Sequence, residues 1–384
     1  MLNRKIHVLQ VVGTMNYGGA EVMLMDIFRN ISKDVKFSFL VNFKVRVGIT
    51  KGDFDNEILS KESQIKHIGT QWGLGPIAYI REFKKKYNEL GKPEVVHIHL
   101  NAKNGVIALA AKLAGAKKII AHSHANIKFR GPLSRILLSS LEMQFQKLLI
   151  FIFCTDYWGA SEEANASLYY TKLLIKSKVI NNAVDTKKFL DVTHEEVKQF
   201  RQSLNISDGT LLFGTIGRIV KHKNVGFIID LLKEYRKLNS EFIFLFAGRV
   251  DDKEYFLEIQ SKVKEYQLDD KVIYLGNRGD VPIILNAMDV IISPALKEGF
   301  GLVAVEAQAS GVPCLLYKGF PPSVDMGIGL IIILDHFDKE IWVSYLDKIK
   351  NDKSKNKKLI RQAIKQKGFD IKQNTSIIEG LYLN

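Results

Sequence analysis

The chain has 384 residues, of which 46% are hydrophobic and 25% charged, and its formal net charge is +14. That length suits two domains of ordinary size, and that balance of apolar and charged residues excludes a disordered or fibrous chain. There are only two cysteines, Cys154 and Cys314, in apolar strand-like settings, so the expectation is buried thiols in a reducing compartment rather than a disulfide framework.

The charge is unevenly spread. Residues 1–190 hold 28 Lys+Arg against 15 Asp+Glu, a balance of +13, whereas residues 191–384 hold 27 against 26, a balance of +1. Such an excess points to an anionic partner for the first half. No helix-turn-helix, zinc-finger or RNA-recognition signature accompanies it, which argues against nucleic acid; an anionic membrane surface, a phosphate-bearing acceptor and diffuse solubilising charge all stay open. The opening MLNRKIHVLQVVG enters a strand directly, without a signal-peptide core, and no uncharged apolar run reaches bilayer-spanning length.

In chain order, KIHVLQVVG predicts a first strand that leads through Gly18-Gly19 into a helix after Glu21. Paired glycines there let the backbone approach a ligand closely. VKFSFLVNF predicts a second strand. Asp53-Phe54-Asp55 spells D-x-D, but it precedes a helical pattern and reads as a helix start. Lys84-Lys85-Lys86 reads as a solvated helix face. His97 and His99 alternate in VVHIHL and so share one side of a strand; a metal pair needs a third ligand, none is apparent, and core or supporting histidines are expected. KKIIAHSHAN predicts a strand ending in His122, Ser123, His124 and Asn126, with Ser123 facing away from both histidines. Residues 128–150 are the most amphipathic basic stretch, with Arg130 and Arg135 beside Leu133, Leu137, Leu138 and Leu141. A core-facing helix with a basic outer face and an in-plane membrane contact both fit. LLIFIFCTDYWGAS predicts an apolar strand, with a helix beginning near Ser161.

In the second half, TLLFGTIG predicts a strand that empties into Gly217–Asn224 and then the helix VGFIIDLLKEYRKL. Arg218 offers a planar fork and Lys223 a compact charge at a helix start, which suits a diphosphate; Lys221 is a lesser candidate. EFIFLFAG is the next strand, and DKVIYLGNRGDVPIILNAMDVIISP reads as strand, turn, helix, strand, with Asp280 as helix N-cap and Pro282 in the first turn. From Ile291 to Cys314 a strand breaks at Pro294, turns through Glu298-Gly299-Phe300-Gly301, and becomes a helix that stops at Gly311 with Pro313 beyond. Glu298 lies before this helix and Glu306 within it. Carboxylates beside an anion-binding helix start suit hydroxyls, and a ligand with both phosphates and many hydroxyls is a nucleotide sugar.

EGFGLVAVE, an E-x7-E followed by A-x-A-S-G-x-P, resembles the signature of the GT4-type retaining glycosyltransferases with the GT-B fold, among them bacterial capsular and exopolysaccharide glycosyltransferases. The preceding motifs stand in the family's order over nearly the whole chain. The resemblance implies an α/β GT-B architecture: two facing Rossmann-like, doubly wound domains with an active-site cleft between them. Residues 1–184 would bind the acceptor, 185–366 the nucleotide sugar, and 367–384 would form a helix crossing back to the first domain. The boundary segment KSKVINNAVDTKKF departs from the family's wording at Asn181 and Ala183, and FPPSVD has Ser323 where relatives carry a glutamate.

For the site, the resemblance implies His124 facing the donor sugar, with His122 its rival. Arg218 and Lys223 would hold the diphosphate, Glu298 the sugar hydroxyls and Glu306 the ribose. Gly18, Gly19, Gly248, Gly276, Asn277, Phe300, Gly301 and Leu302 would contact the donor through the backbone. The implied reaction moves a sugar, with retention, from a nucleoside diphosphate sugar of the UDP type to a hydroxyl of a glycan acceptor. A polyprenyl-diphosphate-linked saccharide in capsule or exopolysaccharide assembly is the expected acceptor. No metal or other cofactor is implied, and the expected place is the cytoplasm, either free or at the inner face of the membrane. A sugar-nucleotide epimerase and a non-catalytic nucleotide-sugar-binding partner subunit are the alternatives.

Overall fold

The structure, a computed structural model, describes residues 5–43, 51–125, 127, 132–348 and 356–383. The chain divides into two compact units, Met1–Ala183 with Ile371–Asn384, and Val184–Asp370.

In the first unit β1 (Ile6–Val12), β2 (Val35–Phe43), β3 (Gln64–Gly69), β4 (Val95–Ile98), β5 (Lys118–Ser123), β6 (Asp156–Gly159) and β7 (Lys178–Val179) form one sheet. Its order is β3-β2-β1-β4-β5-β6-β7 and every pair is parallel. Parallel neighbours need crossover helices, which cover both faces of the sheet. The alternation of β1 shows this directly. Leu9 and Val11 pack in the layer of helices Pro76–Glu89 and Asn104–Ala114, while Val8 and Val12 pack in that of Gly19–Asn30 and Ile371–Leu383.

The second unit repeats the plan with β8 (Leu211–Ile216), β9 (Phe242–Ala247), β10 (Val272–Tyr274), β11 (Val290–Ser293), β12 (Cys314–Tyr317) and β13 (Ile331–Leu334). The order is β10-β9-β8-β11-β12-β13, again all parallel. Each sheet therefore winds outward in two directions from its first strand. Crossovers leave to opposite faces at β1/β4 and at β8/β11, which opens a crevice outside the carboxyl ends of those strands.

Two expectations need correction. The segment read as the strand LLIFIFC is instead the end of a 21-residue helix, Leu133–Phe153, and only Asp156–Gly159 is strand. Met143, Gln146, Leu149 and Ile150 are its buried residues, at helical spacing; a short apolar run carries no period that separates a strand from a buried helix end. The outer face of this helix is also not basic. Leu133, Leu137, Leu138, Leu141, Phe145 and Ile152 are each more than half exposed along it. The helix is long and apolar enough to cross a membrane by length and composition, with 22% of its apolar window buried. Arg130 and Asn126 lie outside the described residues.

Asp280 stands at the N-cap position of helix Val281–Ala287, but its carboxylate makes no cap bond. It accepts from Arg278 Nε at 2.8 Å instead, because a guanidinium two residues away outcompetes a backbone amide for it. Both cysteines are buried and free, and burial pushes both thiols up.

Candidate active site

At the β8/β11 crevice two loops meet. The loop after β8 carries Arg218 and Lys223; the loop after β11 carries Glu298. Leu296 N donates to His222 O at 2.8 Å and ties the two loops together. Across that tie the Lys223 ammonium pairs with Glu298 Oε1, and the two side chains keep only 18% and 10% of their surface exposed. The Glu298 backbone is fixed in turn by its N–H to Gly319 O at 2.9 Å.

Arg218 is held differently. Its side chain is 51% exposed, and Nη1 reaches Asp251 Oδ2 at 3.3 Å. Asp251 already accepts from Arg249 Nε at 2.6 Å. That closer arginine, then Arg218, holds its carboxyl below the usual range. Asp251 thus has two guanidinium partners, and Arg249 is the closer one.

Two helix starts face this crevice without side-chain caps. Helix Val225–Tyr235 begins at Asn224, in the left-handed region at φ 59°, and helix Leu302–Ala309 at Gly301, φ 84°. First-turn N–H groups have no partner within their own helix and attract anions. In the first helix Gly226 N–H is taken by the Tyr255 hydroxyl at 2.8 Å, so the Leu302 end is the more open of the two. A Cβ at Gly301 would come within 2.5 Å of the Phe320 ring, so close packing as well as positive φ requires glycine there. Gly248 is the second such position: φ is +143°, and a Cβ would lie 1.9 Å from Gly217 O, so this glycine lets the β9 loop pack on the β8 loop.

The remaining expected donor residues spread around these loops. Phe300 is buried against Phe369, with ring centroids 5.4 Å apart, so only its backbone is available to a ligand. Glu306 is half-buried within its helix. Gly276 has φ +74° and its carbonyl accepts from Gly248 N at 2.8 Å; Asn277 beside it is exposed. Lys221 pairs with Glu258 at the surface. Gly18 and Gly19, at the start of helix Gly19–Asn30, belong to the first unit, as do His122 and His124.

In the first unit four histidines meet beside the β1/β4 crevice. His97 and His99 project from β4 and the residue after it, His122 and His124 from β5 and the residue after it, all on the face that β1 shares through Gln10. Pairing of Gln10 with His97 puts the amide next to the imidazoles. His97 Nε2 lies 3.1 Å from His122 Nδ1, and His99 Nδ1 lies 2.8 Å from His124 Nε2. His97 Nδ1 meets the Tyr382 hydroxyl at 2.7 Å and His99 Nε2 meets Gln10 Oε1 at 2.8 Å. Gln10 Nε2 donates to the Tyr382 oxygen at 3.1 Å. Burial drives the pKa of His97, His99 and His122 well below the imidazole range and takes His124 to about 4, so all four are neutral at pH 7.

This cluster is what sequence reading missed. Each H-x-H was noticed, but the third imidazole absent from one strand is supplied by the neighbouring strand. Ligand atoms of His97, His99 and His122 lie within 4.8 Å of one another. As a metal centre the cluster fits poorly. The nitrogens that face one another are already paired in hydrogen bonds, and among the described residues no carboxylate or thiolate joins the group. A dication there would be buried with no anion to offset its desolvation. Between the two rivals for the sugar, His122 is 1% exposed, whereas His124 is half-buried at the strand's carboxyl end.

Residues 196–366 match the family described as glycosyl transferases group 1. The chain is 27% identical to the putative glycosyltransferase EpsF of Bacillus subtilis, over 98% of this chain and 96% of that protein. It is also 27% identical, over 76% of each, to the Escherichia coli UDP-Gal:alpha-D-GlcNAc-diphosphoundecaprenol alpha-1,3-galactosyltransferase. Among solved structures, HepE of Anabaena in complex with UDP-glucose superposes with a TM-score of 0.78 at 19% identity, covering 99% of this chain and 100% of that one. At that identity the likeness speaks for the fold, two parallel-sheet Rossmann-like domains of the GT-B kind.

Proposed function

We propose, on the premise that residues 196–366 match the glycosyl transferases group 1 family, that the protein transfers a sugar, with retention, from a UDP-sugar to a hydroxyl of a lipid-linked glycan in capsule or exopolysaccharide assembly. The observation that carries this reading is the Lys223–Glu298 pair at the β8/β11 crevice, beside the open helix start at Leu302 and the half-free Arg218. An ammonium and a guanidinium next to helix-start amides suit a diphosphate that gains charge as the sugar leaves. In this reading Glu298 accepts hydrogen bonds from the sugar hydroxyls, and Lys223 keeps that carboxylate oriented. Glu306 accepts from the ribose diol, for which a planar carboxylate is suited. Cations on the protein take the part that a divalent metal plays in other transferases, so the reaction needs none. A UDP-sugar is favoured because HepE holds UDP-glucose and the E. coli relative uses UDP-Gal. A diphosphate-linked acceptor is favoured by the name of the E. coli relative and by the basic first half of the chain.

The direct experiment measures UDP release across a panel of UDP-sugars in excess EDTA, with and without a membrane extract carrying lipid-linked saccharides. Release that needs both one sugar and the extract is the expected result. UDP-sugar binding without turnover in any combination would instead make the chain a nucleotide-sugar-binding partner.

The same proposal includes contact with a membrane surface. Helix Leu133–Phe153 is tied to the first domain along one side: Val106 N donates to Gln146 Oε1 at 3.0 Å, and Gly105 lies so close that a Cβ would be 2.4 Å from Gln146 O. Held in this way, the helix presents its exposed leucines outward, which suits a helix lying in the plane of an interface. The protein is expected to pellet with anionic vesicles at low salt, and Leu137→Glu with Leu141→Glu to abolish pelleting. Equally poor binding to neutral and anionic vesicles would defeat the idea.

A further inference from the structure

The histidine cluster is part of one hydrogen-bonded chain of six side chains, and the chain has a direction. Beginning at the amide recorded with Oε1 toward His99, each donor is forced in turn. Gln10 Oε1 can only accept, so His99 Nε2 carries the proton and His99 Nδ1 is a lone pair. His124 Nε2 must then be the donor at 2.8 Å. On the other arm the Tyr382 oxygen accepts from Gln10 Nε2, and its single proton goes to His97 Nδ1. His97 Nε2 then donates to His122 Nδ1. Turning the Gln10 amide over would reverse every bond in the series. Two atoms end the chain without a partner, His122 Nε2 and His124 Nδ1, and both are shielded from solvent. Buried polar groups in folded proteins are almost always satisfied, so an orphaned atom on a half-buried ring at a strand's carboxyl end points to a missing partner.

We infer that Gln10 and Tyr382 are positioning residues that hold His124, through His99, in the Nε2-protonated tautomer, leaving Nδ1 as the acceptor for a hydroxyl of a bound sugar or acceptor. The inference rests on the glycosyl-transfer reading for the ligand, but not for the tautomer. Nothing in sequence marks either residue for this role: Gln10 is one polar side chain in an apolar strand, and Tyr382 lies 372 positions away. A neutral imidazole held one way round accepts from a hydroxyl; held the other way it offers N–H and has no lone pair at that atom.

Side-chain 15N NMR of histidine-labelled protein at pH 7 tests this directly, with His124 assigned by its loss in His124→Gln. In the wild type, His124 is expected to show a protonated Nε2 and an unprotonated Nδ1. Gln10→Glu, whose carboxylate can only accept, keeps this pattern, and Gln10→Leu gives a mixture of tautomers. With a transfer assay in hand, Gln10→Leu lowers kcat/KM by about tenfold, and comparison of KM for donor and acceptor tells which hydroxyl is bound. A wild-type His124 protonated at Nδ1 overturns the inference, as does a mixture in Gln10→Glu or one-to-one Zn2+ binding that shifts these rings. Absence of transfer with the expected tautomer would refute the functional reading and leave the positioning roles standing.

Discussion

Lys223→Ala is expected to lower kcat/KM for transfer by roughly tenfold to a hundredfold and to destabilise the second domain by about 3 kcal/mol. The activity loss follows from charge-assisted hydrogen bonds, at about 1.5–3 kcal/mol each, with about 1.4 kcal/mol per decade of rate. The stability loss has a separate cause. The Glu298 side chain is 10% exposed and its partner is Lys223, so removing the lysine leaves a nearly buried carboxylate uncompensated. Arg218→Ala should separate the two effects. Its ion pair with Asp251 is half in solvent and Asp251 keeps Arg249, so stability should stay within about 0.5 kcal/mol while kcat/KM falls at least about tenfold. Urea midpoints and kinetics on both variants check this. Wild-type kinetics in a folded Arg218→Ala would remove Arg218 from the donor site.

Acid should begin to destabilise the first domain near pH 6.5, before carboxylates start to titrate. His124 has a folded pKa of about 4 against an ordinary 6.5, and His97, His99 and His122 are also well below it. His7 adds the same sign, lowered to about 4 by burial and then by Lys36. Below pH 6.5 the unfolded chain takes up protons that the folded chain refuses. Stability is therefore fully present above pH 6.5 and is lost as pH falls toward about 4. His124 alone contributes about 3 kcal/mol to that loss, at roughly 1.4 kcal/mol per pKa unit. Urea midpoints followed through the buried Trp158, which packs against His97 at 4.8 Å, should fall steadily from pH 7 to 4.5. Midpoints flat across that interval would mean that the imidazoles are not held neutral by the fold.

Much of this protein is local in character, and local character is legible. The strands end in glycine-bearing turns before periodic helices, so the loops at Gly217–Asn224 and Glu298–Gly301 could be placed at helix starts from residue order alone. That a parallel sheet must follow from strands alternating with helices is equally local, since parallel neighbours demand a crossover. The period of Leu133–Phe153 was less legible, because an apolar run at the end of a helix reads the same as a buried strand.

Tertiary structure alone decided three things, each through long-range pairing. It set Lys223 against Glu298, 75 residues away, which makes a cation and a carboxylate read separately into one fixed unit. It turned the outer face of Leu133–Phe153 into an apolar one, because which side of a helix is buried depends on what packs there, here helix Asn104–Ala114. And it joined two H-x-H strands with Gln10 and Tyr382 into one directed chain, since no sequence pattern sets which strands become neighbours or which way an amide turns.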